Sequence, residues 1–439
     1  MLKRAMDVFY ASVGTALAVV DPKDHVASWR VSFAAVAAAS FYSLTGASRK
    51  AAQVTSSSEA ARKLIQHAWG MVSLPSIKSV SLQLSRILKG AAVADRIEIC
   101  GVSCFVLSSE PVPELVAAVK RFHRDYGTRR TCVSALSTID ENNEHVPQGA
   151  DRASPFGQGR YRQRDIILHL TGGGFFAHII ASDLPFLLDW SAATGAVVIC
   201  PEYRLLPETF PVALREILDV YSSLRCGSSV QSLGFETRRI VVTGESAGGN
   251  LAAALCVKLV TDKAINSLVH TGSRTSSLGI PDDGKTMSPD RSEDAIELPC
   301  ALMLSCAALN LSLELSPSRV IGDADPVLPS GLLGAISDAY VPPSLGISKK
   351  DPLVSPAFAS DAVLKAFPPT LLIASSNDPL LDDSVAFNQR LRNVGVKSEL
   401  RAAQHLPHAY LGLGTAGFPE AQQVQLDCQE WLRHQFMAT

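Results

Sequence analysis

Short, nearly uninterrupted apolar runs recur along the chain at 165–170, 196–200, 239–243, 300–306 and 370–375, and a further strand candidate, 397–402, closes the set. Runs of this length, separated by stretches long enough for helices, mark strands buried on both faces. They predict a mostly parallel α/β sheet. Upstream the spacing changes, and residues 1–130 read as mostly helical. Ser56 and Glu59 make a capping-box pair ahead of 60–72. Val112, Leu115, Val116, Val119 and Phe122 recur at helical spacing over 110–126, with Gly127 as the stop. The stretch 95–107 is ambiguous between strand and helix. Residues 133–160, rich in Asn, Gly, Glu and Gln, read as a linker. Residues 262–298 carry few apolar anchors among Ser, Asp, Gly and Thr, and read as a disordered insertion. The expected organisation is a mainly helical capping or docking region over 1–155, followed by an α/β domain over 156–439.

The run 239–243 leads into Gly244-Glu245-Ser246-Ala247-Gly248 and then a helical stretch, 250–258. Strand, sharp turn and helix with a serine at the apex is the setting of a nucleophile elbow, where flanking glycines let backbones approach. An acid, Asp378, and a histidine, His408, follow in the order serine, acid, histidine. By position alone Asp382 and Asp383 rival Asp378, and His405 rivals His408. A glycine-rich turn, Thr171-Gly172-Gly173-Gly174-Phe175, follows 165–170. Its N–H groups can point at an oxyanion without side chains intervening. Gly172, Gly174 and Ala177 also satisfy the spacing of a dinucleotide-binding turn. That reading leaves Ser246 without a task, and no Tyr-x-x-x-Lys pair exists in the chain.

These segments carry a resemblance. Ile167 to Phe175, Tyr203 to Glu208 with Phe210-Pro211, Gly244 to Gly249, Asp378 to Ser384, and Leu406 to His408 resemble the hormone-sensitive lipase family of α/β-hydrolases, over roughly 160–439. The stretches 318–329, 351–393 and 405–410 look closer to the animal-type enzyme than to bacterial esterases. The resemblance implies an α/β-hydrolase fold in which Ser246 is the nucleophile and His408 its base. Asp378 would orient His408, and the N–H groups of Gly172, Gly173 and Ala247 would form the oxyanion hole. It implies a serine hydrolase of carboxylic esters working through an acyl-enzyme, with acylglycerols or sterol esters as substrates. A short-chain carboxylesterase or deacetylase is one alternative; a non-catalytic ligand receptor on the same fold is another. Asp382 is expected to orient its loop, and Tyr203 and Arg204 to pin the segment after 196–200. Two positions depart from the pattern. Thr171 stands where the family has His, with His169 two residues before it, and Glu245 stands where Asp is commoner. Thr171 puts the rigidity of the glycine loop in question more than the reaction. The long phosphorylatable module of the animal lipase, expected between 341 and 351, is missing, so regulation by that route is not implied.

Composition narrows the remaining options. A hydrophobic content of 47%, a charged content of 19% and a net charge of −2 describe a globular chain with a large core and argue against a nucleic-acid partner. Nine cysteines with no C-x-x-C spacing read as reduced core residues in a cytoplasmic setting. No His/Cys/Asp group has metal-ligand spacing, and the chemistry calls for no cofactor. Lys3-Arg4 precede an apolar stretch, 6–20, that reads as a docked helix and not a signal peptide, because Asp7 interrupts it. Peripheral contact with lipid droplets or membranes, and a homodimer, stay open.

Overall fold

All six strand candidates become neighbouring strands. The computed structural model describes residues 91–135, 161–178, 180–270, 296–322, 325, 327–328, 330–414 and 418–437. The expectations for 1–90 and for most of the linker lie outside these residues. The strands are β1 (Val93–Ile99), β2 (Val102–Ser108), β3 (Gln163–Leu170), β4 (Val197–Pro201), β5 (Glu236–Glu245), β6 (Ala301–Ser305), β7 (Thr370–Ser375) and β8 (Ser398–Ala403). They form one sheet in the order β1-β2-β4-β3-β5-β6-β7-β8. Every pairing from β4 to β8 is parallel, and only β1 with β2 and β2 with β4 are antiparallel.

Because side chains alternate along a strand, a sheet covered on both faces needs apolar residues at every position. Ile166, Leu168 and Leu170 enter one core with Val242, Leu302 and Leu304. Their neighbours Ile167, Val241, Met303 and Leu371 enter the other. Helices α3 (Val212–Arg225) and α5 (Ala247–His270) cover the first face through Leu214, Ile217 and Tyr221, and through Leu251 and Leu255. Helices α2 (Ile180–Thr194) and α10 (Pro419–Met437) cover the second through Leu184 and Trp190, and through Cys428 and Trp431. Among the described residues no helix is long and apolar enough to cross a membrane.

Three expectations need correction. Within the region read as mostly helical, the stretch left open between strand and helix is a hairpin over 93–108, and it belongs to the same sheet, which therefore reaches past the expected boundary at 155. The two-residue turn Cys100-Gly101 has φ of 51° and 78°, the left-handed pair that matches the twist of a hairpin. Helix α1 (Pro113–Ala135) runs through Gly127, since a glycine inside a helix costs only about 1 kcal/mol. Helix α5 takes up 262–270, the first part of the expected insertion, and Lys258 bonds Asp262 at 2.7 Å across that point. Residues 271–295 lie outside the description.

Candidate active site

Parallel strands deliver their carboxyl ends to one edge of a sheet, where ligands bind. Gly172–Gly174 follow β3, Ser246 follows β5, Asp378 follows β7 and His408 follows β8. Ser246 has φ of 54°, a left-handed conformation that an L-residue adopts only when its surroundings enforce it. Its N–H donates to the Ser305 carbonyl at 2.9 Å, and its carbonyl accepts from the N–H groups of Asn250 at 3.0 Å and Ala308 at 3.1 Å. The Asn250 amide in turn donates to the carbonyls of Ala308 and Val354, at 2.7 and 2.8 Å. The flanking glycines are a steric requirement. A β-carbon on Gly248 would stand 1.9 Å from the Leu170 oxygen, and one on Gly244 would stand 2.4 Å from the Gly248 oxygen.

The structure brings Ser246, His408 and Asp378 into one buried chain. His408 Nε2 lies 2.8 Å from Ser246 Oγ, and His408 Nδ1 lies 2.9 Å from Asp378 Oδ2. The other oxygen of Asp378 accepts from the Leu380 N–H at 2.9 Å, which fixes the plane of the carboxylate. The rivals point elsewhere. His405 is exposed. Asp382 accepts from the Ser318 N–H at 2.7 Å, and Asp383 from the Arg319 guanidinium at 2.6 Å. Both tie the start of helix α9 (Leu381–Asn393) to the short helix α6 (Pro317–Ile321).

Gly172 packs against the elbow: a β-carbon built on it would lie 3.4 Å from Ser246 Cβ. Gly173 and Gly174 have φ of 119° and 59°, and the Gly173 carbonyl accepts from both Phe176 and Ala177, closing the turn. Ala247 opens α5, where the first N–H groups of a helix have no partner within it.

Sequence reasoning missed two neighbours of this chain. Asp325 accepts the His408 N–H at 2.8 Å through one oxygen, and the N–H groups of Val327 and Leu328 through the other. Its only sequence signal is the Asp325-Pro326 step, which marks a turn and not a partner. Cys306 also lies at the site, its sulfur grouped with ligand atoms of Asp378 and His408 within 4.8 Å. Burial raises its thiol well above the usual range, and the Asp378 carboxylate adds to this, so the thiol keeps its proton. His169, two residues before Thr171, is bonded to Thr243 at 2.8 Å and to Asp183 at 3.3 Å.

Burial disfavours the charged form of His408, but the charge and hydrogen bond of Asp378 outweigh it. The charge of Asp325 adds to that effect, and the histidine ends above its ordinary value. Glu245 goes the other way from a normal carboxylate. Burial, with the Asp183 charge nearby, pushes it to about 8 from 4.5. The folded protein therefore holds a proton that the unfolded chain releases above pH 4.5, so this group's contribution to stability is lost as pH rises from 4.5 through about 8. Glu245→Gln, which cannot ionise, is expected to gain in melting temperature over the parent across that window and to hold a constant gap above it. Differential scanning fluorimetry at several pH values checks this; a gap that does not change with pH counts against it.

Known proteins of the same construction supply the family. The family described as "alpha/beta hydrolase fold" matches residues 167–412. Hormone-sensitive lipase of Bos taurus is 25% identical over 409 residues, covering 62% of this chain and 54% of the lipase. An esterase of Acinetobacter venetianus is 28% identical over 267 residues, covering 61% of this chain and 74% of the esterase. A crystal structure described as a hormone-sensitive lipase from a metagenome library superposes with a TM-score of 0.54 at 19% identity, covering 83% of this chain and 94% of that one. The chain spans about half the length of the bovine lipase. With the motifs of residues 167–408 at one edge of an eight-stranded, mostly parallel sheet, the chain belongs to the hormone-sensitive lipase family of α/β-hydrolases.

Proposed function

We propose that this chain is a serine hydrolase of carboxylic esters that works through an acyl-enzyme. The observation that carries the reading is the unbroken bonded series Ser246–His408–Asp378, with a glycine loop against the serine. His408 Nε2 takes the proton of Ser246 Oγ as that oxygen attacks the ester carbonyl. Asp378 holds the other nitrogen's proton and stabilises the imidazolium. The N–H groups of Gly172, Gly173 and Ala247 receive the oxyanion of the tetrahedral intermediate. When the intermediate collapses, His408 returns its proton to the departing alcohol. Water, activated by the same histidine, then releases the acid and regenerates the serine.

Acylglycerols or sterol esters are the substrates in this reading, with a cytoplasmic location, contact with lipid surfaces and a homodimeric assembly as its further parts. A short-acyl esterase is the second reading. It is favoured by coverage, since the chain matches 74% of the Acinetobacter esterase against 54% of the bovine lipase. Hydrolysis of p-nitrophenyl esters from acetate to palmitate decides both points. A burst of p-nitrophenol equal to the enzyme present, followed by a slower steady rate, is the expected sign of an acyl-enzyme whose breakdown limits turnover. A rate optimum at long chains supports the lipid substrate, and one at acetate or butyrate the esterase. No hydrolysis of any ester overturns the reading in favour of a ligand receptor.

A further inference from the structure

A second imidazole meets the residue that opens the glycine loop. His178 Nδ1 lies 3.1 Å from Thr171 Oγ1, and its Nε2 lies 2.8 Å from the Tyr203 carbonyl oxygen. A carbonyl can only accept, so Nε2 carries the proton of the neutral ring. Nδ1 is then the acceptor and the Thr171 hydroxyl its donor. The ring also stands edge-on to the Tyr203 phenol, with centroids 4.7 Å apart at 77°. That phenol donates to the Thr171 carbonyl at 2.8 Å. Thr171 is therefore held twice, by its hydroxyl and by its carbonyl, and both bonds trace to one tyrosine.

The second of these bonds matters most. The Thr171 carbonyl and the Gly172 N–H belong to one peptide plane, and in a trans peptide they point in opposite directions. Fixing that carbonyl on Tyr203 fixes the direction of the Gly172 N–H. Tyr203 itself stands on a firm base. The neighbouring Glu202 carboxylate is gripped by Arg96 at 2.8 and 3.0 Å and by Ser103 at 2.5 Å, both from the β1–β2 hairpin. Leu206, three residues on, donates to the Phe175 carbonyl at 2.8 Å at the far end of the loop.

We propose that His178 is a positioning residue for ester hydrolysis. It locks Thr171 to Tyr203 so that the Thr171–Gly172 peptide presents its N–H to the oxyanion. This rests on the serine-hydrolase reading above. The loop that Thr171 leaves in question in the sequence is thereby held by a histidine seven residues downstream.

The test is steady-state kinetics on a p-nitrophenyl ester for the parent, His178→Ala, Thr171→Val, the double variant and His178→Gln, with melting temperatures alongside. Misplacing an oxyanion donor lowers turnover by about tenfold to a hundredfold, so kcat is expected to fall by that factor in His178→Ala and Thr171→Val, with KM within about twofold. The double variant is expected to be no slower than the slower single one, since both cut the same ring. His178→Gln is expected to recover most of kcat, because its amide offers an acceptor and a donor side by side, as the neutral imidazole does. A purely structural histidine would instead lower the melting temperature and move KM and kcat together, without recovery by Gln. Should His178→Ala fail to fold, Thr171→Val probes the same ring at almost constant volume. An active parent with unchanged kcat in the variants overturns this proposal alone; a parent that hydrolyses no ester overturns the hydrolase reading and this with it.

Discussion

Ser246→Ala is expected to lower kcat for any ester by about a million-fold and to leave the fold in place. The size follows from the role. Oγ is the atom that bonds to the acyl carbon, so its loss leaves only binding and the oxyanion donors to act on a bound ester. The intact fold follows from where the elbow gets its support. Ser246 is held by backbone bonds, from its N–H to Ser305 and to its carbonyl from Asn250 and Ala308, and alanine keeps all of them. Alanine also sits no worse than serine at a φ of 54°, because the strain comes from the β-carbon they share. His408→Ala is expected to cost nearly as much, and the double variant little more than either alone, as in any group of residues acting as a unit. Turnover of p-nitrophenyl butyrate and mass spectrometry after a fluorophosphonate measure the effect, with one adduct expected on the parent and none on the variant. Residual turnover within tenfold of the parent would remove Ser246 from the mechanism.

What could be read from the chain depended on whether a signal survives without its partner in space. The five apolar runs did, because a strand covered on both faces is apolar at nearly every position whatever it packs against. The elbow and the order serine, acid, histidine were likewise local, and the resemblance chose Asp378 over Asp382 and Asp383, and His408 over His405. The hairpin of β1 and β2 was harder. Asp95, Arg96 and Glu98 interrupt its apolar residues, and its turn uses Cys100 where Asn or Asp would signal a left-handed pair. Asp325 was hidden for another reason. It serves His408 through a backbone N–H 83 residues away, a bond to which the side chain of residue 408 contributes nothing. His178 and Cys306 belong to the same class, since each matters only through a contact that the fold creates.

Asp378→Asn separates orientation from charge. Asp378 Oδ1 accepts from the Leu380 N–H, and an asparagine oxygen can keep that bond at its 2.9 Å. Its NH₂ group then faces His408 Nδ1, where the carboxylate oxygen stood. An amide nitrogen can only donate, so the neutral imidazole turns to the tautomer with its proton on Nε2. That nitrogen can no longer accept the proton of Ser246 Oγ, which stands 2.8 Å away. The expected loss in kcat is about 10⁴-fold, from a tautomer change with the atoms in place. The pH profile should move as well. In the parent, His408 is raised above its ordinary value because Asp378 outweighs burial, so the acid limb of kcat/KM, where the base is lost to protonation, is expected above pH 6.5. With the charge gone, burial dominates and the limb should shift to lower pH even as the plateau collapses. A structural disturbance would lower the plateau without that shift. A variant that keeps the parent's acid limb would show that Asp378 is not what holds the charge on His408.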